Sequence, residues 1–196
     1  VEEAVRFPVE VAPRTFDVKM LRWVEVSPRG NQVAYQALGY IYLRDLDVKN
    51  VQSGTPRRLT RQTEHFEYYP TWSPDGTRIS FEGTVPSSGQ YFIEILDLSV
   101  FPTSRQVLIE GFDTPAWAKT QDLIAARSRR GDGGGLWIID VAAPATPVPL
   151  PPDGPGLWSP PSWSPDDRQL VFSQIGDFCG DKGKTSWRHT AIRNVD

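Results

Sequence analysis

The feature that most constrains this chain is a turn that returns at a fixed interval. Trp72-Ser73-Pro74-Asp75-Gly76 leads into Arg78-Ile79-Ser80-Phe81. The same phrase occurs as Val26-Ser27-Pro28-Arg29-Gly30 before Gln32-Val33-Ala34-Tyr35, and as Trp163-Ser164-Pro165-Asp166-Asp167 before Gln169-Leu170-Val171-Phe172. Proline presets φ at about −65°, aspartate bonds its own backbone, and glycine takes positive φ without steric conflict, so each phrase predicts a tight turn between two strands. A degenerate copy, Pro115-Ala116-Trp117-Ala118, precedes Asp122-Leu123-Ile124-Ala125. Val26 to Trp72 is 46 residues, Trp72 to Trp117 is 45, and Trp117 to Trp163 is 46.

The second half of each unit repeats as well. Tyr40-Ile41-Tyr42-Leu43-Arg44-Asp45-Leu46 matches Tyr91-Phe92-Ile93-Glu94-Ile95-Leu96-Asp97-Leu98, and both match Gly135-Leu136-Trp137-Ile138-Ile139-Asp140-Val141. Short fourth segments follow at Arg57-Arg58-Leu59-Thr60, Gln106-Val107-Leu108-Ile109 and Val148-Pro149-Leu150. Four short strands in about 46 residues are the mark of a β-propeller blade. The fold class is therefore all-β: a β-propeller of four-stranded antiparallel blades, a single domain over residues 1–196. Blades are expected at about 19–62, 63–110, 111–154 and 155–196. In the fourth, the third strand is expected near Lys184–Thr190, and no fourth strand is legible. Residues 1–18 carry a weakly alternating stretch in which Pro8 suits an edge strand, and a strand there would close the ring. Four blades lie at the lower limit of the usual range, so the repeats predict either a closed four-bladed ring or part of a larger one. An incomplete ring would be expected to self-associate.

The Trp-Ser-Pro-Asp-Gly turn, the Ile79-Ser80-Phe81 strand, the Tyr40-to-Leu46 strand and the Arg57-Arg58-Leu59-Thr60 segment together resemble the TolB-type propeller repeat. That repeat also occurs in the propellers of tricorn-like and prolyl-oligopeptidase-like enzymes. The resemblance covers the chain from about residue 19 onward; the third unit lacks the Ser-Pro-Asp-Gly turn, and the fourth has Asp167 where glycine is expected. A narrower resemblance, through Val5-Arg6-Phe7-Pro8, Arg14 to Trp23 and Val33 to Gly39, is to the propeller joined to a metal-dependent amidohydrolase in some bacterial proteins. The TolB-type resemblance implies an envelope assembly role and a periplasmic or secreted location. The narrower one implies an accessory domain of a hydrolase. The chain opens at Val1, which fits either a removed leader or a piece of a longer protein.

Charge and composition narrow the function classes. A net charge of −3 offers no basic stripe for nucleic acid. No apolar run is long enough for a transmembrane helix. One cysteine, Cys179, permits no internal disulfide and leaves the compartment open: a reducing cytoplasm fits, and so does a periplasmic protein that uses none.

The sequence also lacks a catalytic set. Its two histidines, His65 and His189, form neither a His-x-His pair nor a His-Glu-x-x-His motif, so a metal centre has no starting ligands. There is no Gly-x-Ser-x-Gly elbow. Cys179 and His189 are formally a nucleophile and a base, but an incidental loop thiol is the better reading. Gly131 to Gly135 lies between strands rather than before a helix, so it predicts a hairpin loop and not a phosphate cradle. Asp75, Asp166 and Asp167 supply too few oxygens for calcium and read as turn chemistry. Trp72, Trp117 and Trp163 read as packing between blades. The expectation is thus no enzyme activity in this chain, no cofactor and no metal.

One cluster suggests binding. The loops that enter the innermost strands and those that join the second and third strands open on one face of a propeller. This face would gather Arg61, Glu64, His65, Glu67 and Tyr68 at the channel mouth, with Arg129 and Arg130 beside them. Loops on a rigid scaffold commonly carry function. The expected partner is a protein or peptide. The alternative is a gating propeller for an amidohydrolase or serine peptidase whose catalytic domain lies outside this chain.

Overall fold

The computed structural model describes residues 18–47, 54–100, 104–129, 135–150, 159–177 and 186–195. All regular structure among them is β, in four antiparallel sheets that form consecutive blades of a β-propeller. The first sheet runs β1 (Arg22–Val26), β2 (Gln32–Ala37), β3 (Tyr40–Asp45), β4 (Arg57–Arg58). The second runs β5 (Phe66–Trp72), β6 (Arg78–Val85), β7 (Gln90–Asp97), β8 (Ser104–Glu110). The third runs β9 (Phe112–Trp117), β10 (Leu123–Ser128), β11 (Leu136–Asp140), β12 (Val148–Pro149), and the fourth β13 (Ser162–Trp163), β14 (Gln169–Asp177), β15 (Ser186–Asn194). Strands are hydrogen-bonded in chain order within each sheet. The expected closing strand at 1–18 lies, apart from residue 18, outside the described residues, as does Cys179.

The recurring turn forms as its residues dictate. In the second blade the Gly76 amide bonds the Ser73 carbonyl at 2.9 Å, with Gly76 at φ 69°. The Asp75 carboxylate accepts the Ser73 hydroxyl at 2.5 Å and the Thr77 amide at 3.0 Å. Asp166 repeats this with Ser164 at 2.6 Å and the Arg168 amide at 3.2 Å. Asp167 departs from the expectation of turn chemistry alone. It takes the glycine conformation, φ 56°, and its carboxylate leaves the turn for the preceding blade. There it accepts the amides of Lys119 at 2.6 Å and Thr120 at 2.7 Å and the Thr120 hydroxyl at 2.6 Å.

Three core clusters weld successive blades. Ala34, Ile41 and Leu43 of the first pack on Trp72, Ile79, Phe81 and Leu96 of the second. Ile93, Ile95 and Ile109 meet Phe112, Trp117, Ile124 and Ile139. Ala125, Leu136 and Ile138 meet Trp163, Leu170 and Phe172. The repeated tryptophans therefore lie between blades, as expected. Two of them also donate across the junction, Trp72 to the Glu25 carbonyl at 3.2 Å and Trp163 to the Ala116 carbonyl at 2.8 Å. Among the described residues no core cluster joins the fourth blade to the first.

Candidate functional site

The innermost strands β1, β5 and β9 each carry an irregularity in their pairing. Trp23, Tyr69 and Thr114 occupy the same repeat position there, all at positive φ (48°, 51° and 49°). Positive φ is uncommon for non-glycine residues, and a bulge is where strands re-aim side chains. Here it brings Trp23 and Tyr69 into contact across the first two blades, ring centroids 4.2 Å apart, with Tyr68 edge-on to Trp23 at 5.6 Å.

Beside this aromatic step lies a charged group that sequence reading missed. Asp113 is fully buried and is gripped by Arg127 through two 2.6 Å bonds and by the Arg129 guanidinium. Arg129 also lies over the Tyr91 ring at 4.6 Å. Glu82 accepts the Thr114 amide at 3.1 Å and the Thr84 hydroxyl at 2.9 Å. Burial raises the Glu82 carboxyl above its usual range, and the Asp113 charge adds to the rise. Burial likewise raises the Tyr69 hydroxyl, reinforced by Glu82 and Asp113. With two arginines saturating Asp113, this group fastens β10 to β9 and presents no free base. Aligning Asp113-Thr114-Pro115 with Tyr68-Tyr69-Pro70 places Asp113 on the innermost strand, and that alignment is the signal available in the sequence.

The loop from Arg61 to Glu67 is organised by Gln62. Its side-chain oxygen accepts the amides of Glu64 at 2.8 Å and His65 at 3.1 Å; its nitrogen donates to the His65 carbonyl at 3.0 Å and to Glu67 at 2.6 Å. The Arg58 guanidinium bonds the Gln62 carbonyl and lies 3.3 Å from the Tyr40 ring centroid. This clamp turns Arg61 and Glu64 outward, where both are exposed. His65 and Glu67 face inward and are buried. His65 Nε2 sits 3.1 Å from Glu94, whose other oxygen meets Arg105 at 3.3 Å. Glu67 accepts the Ile41 amide at 2.8 Å and the Thr60 hydroxyl, joining the first two blades. Both side chains are buried and fix the loop on which Arg61 and Glu64 are exposed. Arg130 lies outside the described residues.

Next to this loop is an open groove of about 600 Å³. Val18, Met20, Leu38, Phe66 and Tyr68 line it, with Lys19 and Arg22 at its edge. Leu38 and Gly39 form its wall at φ 53° and 85°, and the Phe66 ring fills the place a Gly39 Cβ would take, 2.7 Å away. Leu38 and Phe66 are exposed, and neither Lys19 nor Arg22 has an acidic partner among the described residues. The groove thus offers apolar area and positive charge that no described acidic residue pairs. No cluster of three or more metal-ligating side chains occurs among the described residues. Nor is any helix there long and apolar enough to cross a membrane.

No family model and no curated protein matches the sequence. Solved structures match the fold. Over 90% of this chain and 41% of the other, it superposes on TolB from Acinetobacter baumannii with a TM-score of 0.69 and 20% identity. A TolB-type protein from Agrobacterium tumefaciens is similar over 90% of this chain and 77% of its own length, with a TM-score of 0.61 and 17% identity. A puromycin hydrolase is similar over 90% of this chain and 27% of its own length, with a TM-score of 0.67 and 14% identity. The chain thus spans less than half the length of two of these three proteins. At such identities the likeness is one of architecture: the chain is a β-propeller whose fold is similar to that of the TolB structures.

Proposed function

We propose that the chain is a non-catalytic propeller scaffold that binds a protein or peptide partner at the channel mouth. The observation that carries this reading is the groove beside the Gln62-clamped loop. It joins exposed Leu38 and Phe66 to Lys19 and Arg22, which have no acidic partner among the described residues, and Phe66 follows directly on the loop that exposes Arg61 and Glu64. Arg129, held over Tyr91, belongs to the same face. Apolar area with a few placed charges is the composition of a peptide-binding surface. The buried pairs His65–Glu94 and Glu67–Ile41 support it by making the loop rigid, which lowers the entropy lost on binding.

Panning a random peptide display library on the folded chain tests the proposal. Enriched peptides should combine an apolar residue with a carboxylate and should lose binding to Phe66→Ala and Arg22→Glu. Failure to enrich any sequence, or binding indifferent to both substitutions, defeats it.

A second reading is that the propeller is the accessory domain of a larger hydrolase, an amidohydrolase or a serine peptidase. The likeness to a part of puromycin hydrolase favours the peptidase form. A genomic neighbourhood or continuous reading frame without a Gly-x-Ser-x-Gly or His-x-His segment removes this reading.

A further inference from the structure

The second strands of the first three blades run in one register: Gln32, Arg78 and Leu123 stand opposite Asp45, Asp97 and Asp140. In that register Gln36, Glu82 and Arg127 share a position, each opposite a buried aliphatic residue, Ile41, Ile93 and Leu136. In the second and third blades the position holds a neighbouring strand. Glu82 accepts the Thr114 amide at 3.1 Å, and Arg127 grips Asp113 through two 2.6 Å bonds. In the first blade it holds none. Gln36 is only 7% exposed, yet among the described residues its side-chain amide has no hydrogen-bond partner. It lines the groove instead. A buried polar group is ordinarily hydrogen-bonded, so this one marks the place of a ligand's polar group.

Arg22 is the register partner of Gln36, and both line the groove. The Cβ atoms of such a pair lie about 5 Å apart. An amide and a guanidinium therefore stand side by side, with Lys19 and the exposed Leu38 and Phe66 in the same groove. A glutamine amide both donates and accepts, which matches the C=O and N–H of a peptide bond. The guanidinium fork matches a carboxylate. Only the last residue of a polypeptide carries a carboxylate, a main-chain amide and an apolar side chain together. An internal acidic residue would need a second residue to supply the apolar side chain. Both of its flanking chains would also have to leave a groove of about 600 Å³, which is the size of a small-ligand pocket. Building on the reading that the groove binds a protein or peptide, we infer that its occupant is a free C-terminus ending in an apolar residue. The α-carboxylate meets Arg22 and Lys19, the last main-chain amide meets Gln36, and the last side chain packs on Leu38 and Phe66.

Two random peptide libraries panned on the folded chain test this, one displayed with free C-termini and one with its C-termini blocked by fusion. The free-ended library should enrich peptides with apolar final residues. A selected peptide made as its C-terminal carboxamide should bind about tenfold or more weakly, the loss of a charge-assisted contact. Gln36→Glu sets a second carboxylate beside that of the ligand, so it should weaken the free-acid peptide more than the carboxamide. Should that variant misfold, the acid-against-carboxamide comparison on the wild-type chain decides. Peptides that bind equally well in both forms, or enrichment from the blocked library alone, overturn the inference and leave peptide binding at the groove standing. Enrichment from neither library removes both.

Discussion

The carboxylate of Glu67 accepts the backbone amide of Ile41 at 2.8 Å, and so closes a main-chain donor of the first blade with a side chain of the second. The Thr60 hydroxyl and the Gln62 amide bond the same group, which is fully buried. Removing it leaves three donors facing a void. Each buried group stranded in this way costs about 1–3 kcal/mol. Glu67→Ala should therefore lower unfolding stability by about 3 kcal/mol or more, read from urea denaturation. Glu67→Gln, which keeps an acceptor for Ile41, should lose less. Equal losses would mean that the Ile41 bond contributes nothing of its own.

Asp167 poses a choice between backbone ease and side-chain bonding. Its φ of 56° favours glycine, and relieving that strain is worth about 1 kcal/mol. Its carboxylate, however, caps the Lys119 and Thr120 amides of the preceding blade. Loss of two charge-assisted bonds, at about 1.5–3 kcal/mol each, outweighs the relief. Asp167→Gly should destabilise the protein, although glycine is what the repeat leads one to expect at this position. Asp167→Asn should fall between the two in a thermal melt. A stabilised glycine variant would show that the inter-blade bonds are weak.

Gly83 tests how tightly the candidate loop is supported from below. A Cβ at this position would lie 2.1 Å from the Phe92 ring. Phe92 is buried and stands edge-on to His65 at 4.9 Å. Gly83→Ala should thus push Phe92 against the His65–Glu94 pair, with an overpacking loss of about 1–3 kcal/mol. The His65 ring proton resonances should move with it. Unmoved resonances and unchanged stability would place slack around Phe92.

The architecture was legible because its carriers are local. Turn chemistry at Ser73 to Gly76 and the Trp72, Trp117 and Trp163 positions need only neighbours in sequence to be read. The buried carboxylates were not legible for the converse reason. Glu67, between Phe66 and Tyr68 in a polar stretch, has the sequence surroundings of a rim residue. Its carboxylate answers to the Ile41 amide, 26 residues away on the first blade. Asp113 and Glu82 likewise answer to Arg127 and Thr114 on neighbouring strands. The groove escaped for a third reason: Leu38, Phe66 and Met20 are ordinary apolar residues, and exposure is a property of what fails to pack on them.

The pH dependence of stability should show the buried Glu82. Burial raises its carboxyl above the ordinary glutamate value of 4.5, and Asp113 adds to the rise; the Thr114 and Thr84 bonds and Arg127 only partly offset this. Between the unfolded and folded values the native state therefore binds more protons than the unfolded chain, and stability falls as pH rises through that window. The penalty is absent below the unfolded value and complete above the folded one. Asp75 works in the opposite sense. Burial alone would raise it, but bonds from Ser73 and from the Thr77 amide and hydroxyl, with the charge of Arg78, hold it at about 2. Its contribution is complete above the unfolded value of 3.8 and is lost as pH falls towards about 2. Stability measured from pH 3 to 8 (about the range spanned by ordinary carboxyl titration) should thus rise on the acid side through Asp75 and its like, then be held back through Glu82. Glu82→Gln should selectively remove the second effect, gaining stability at neutral pH relative to pH 4, while Asp75→Asn should flatten only the acid limb. If Glu82→Gln shifts both pH values by the same amount, the buried carboxyl titrates alike in the folded and unfolded chains, and its burial carries no electrostatic penalty.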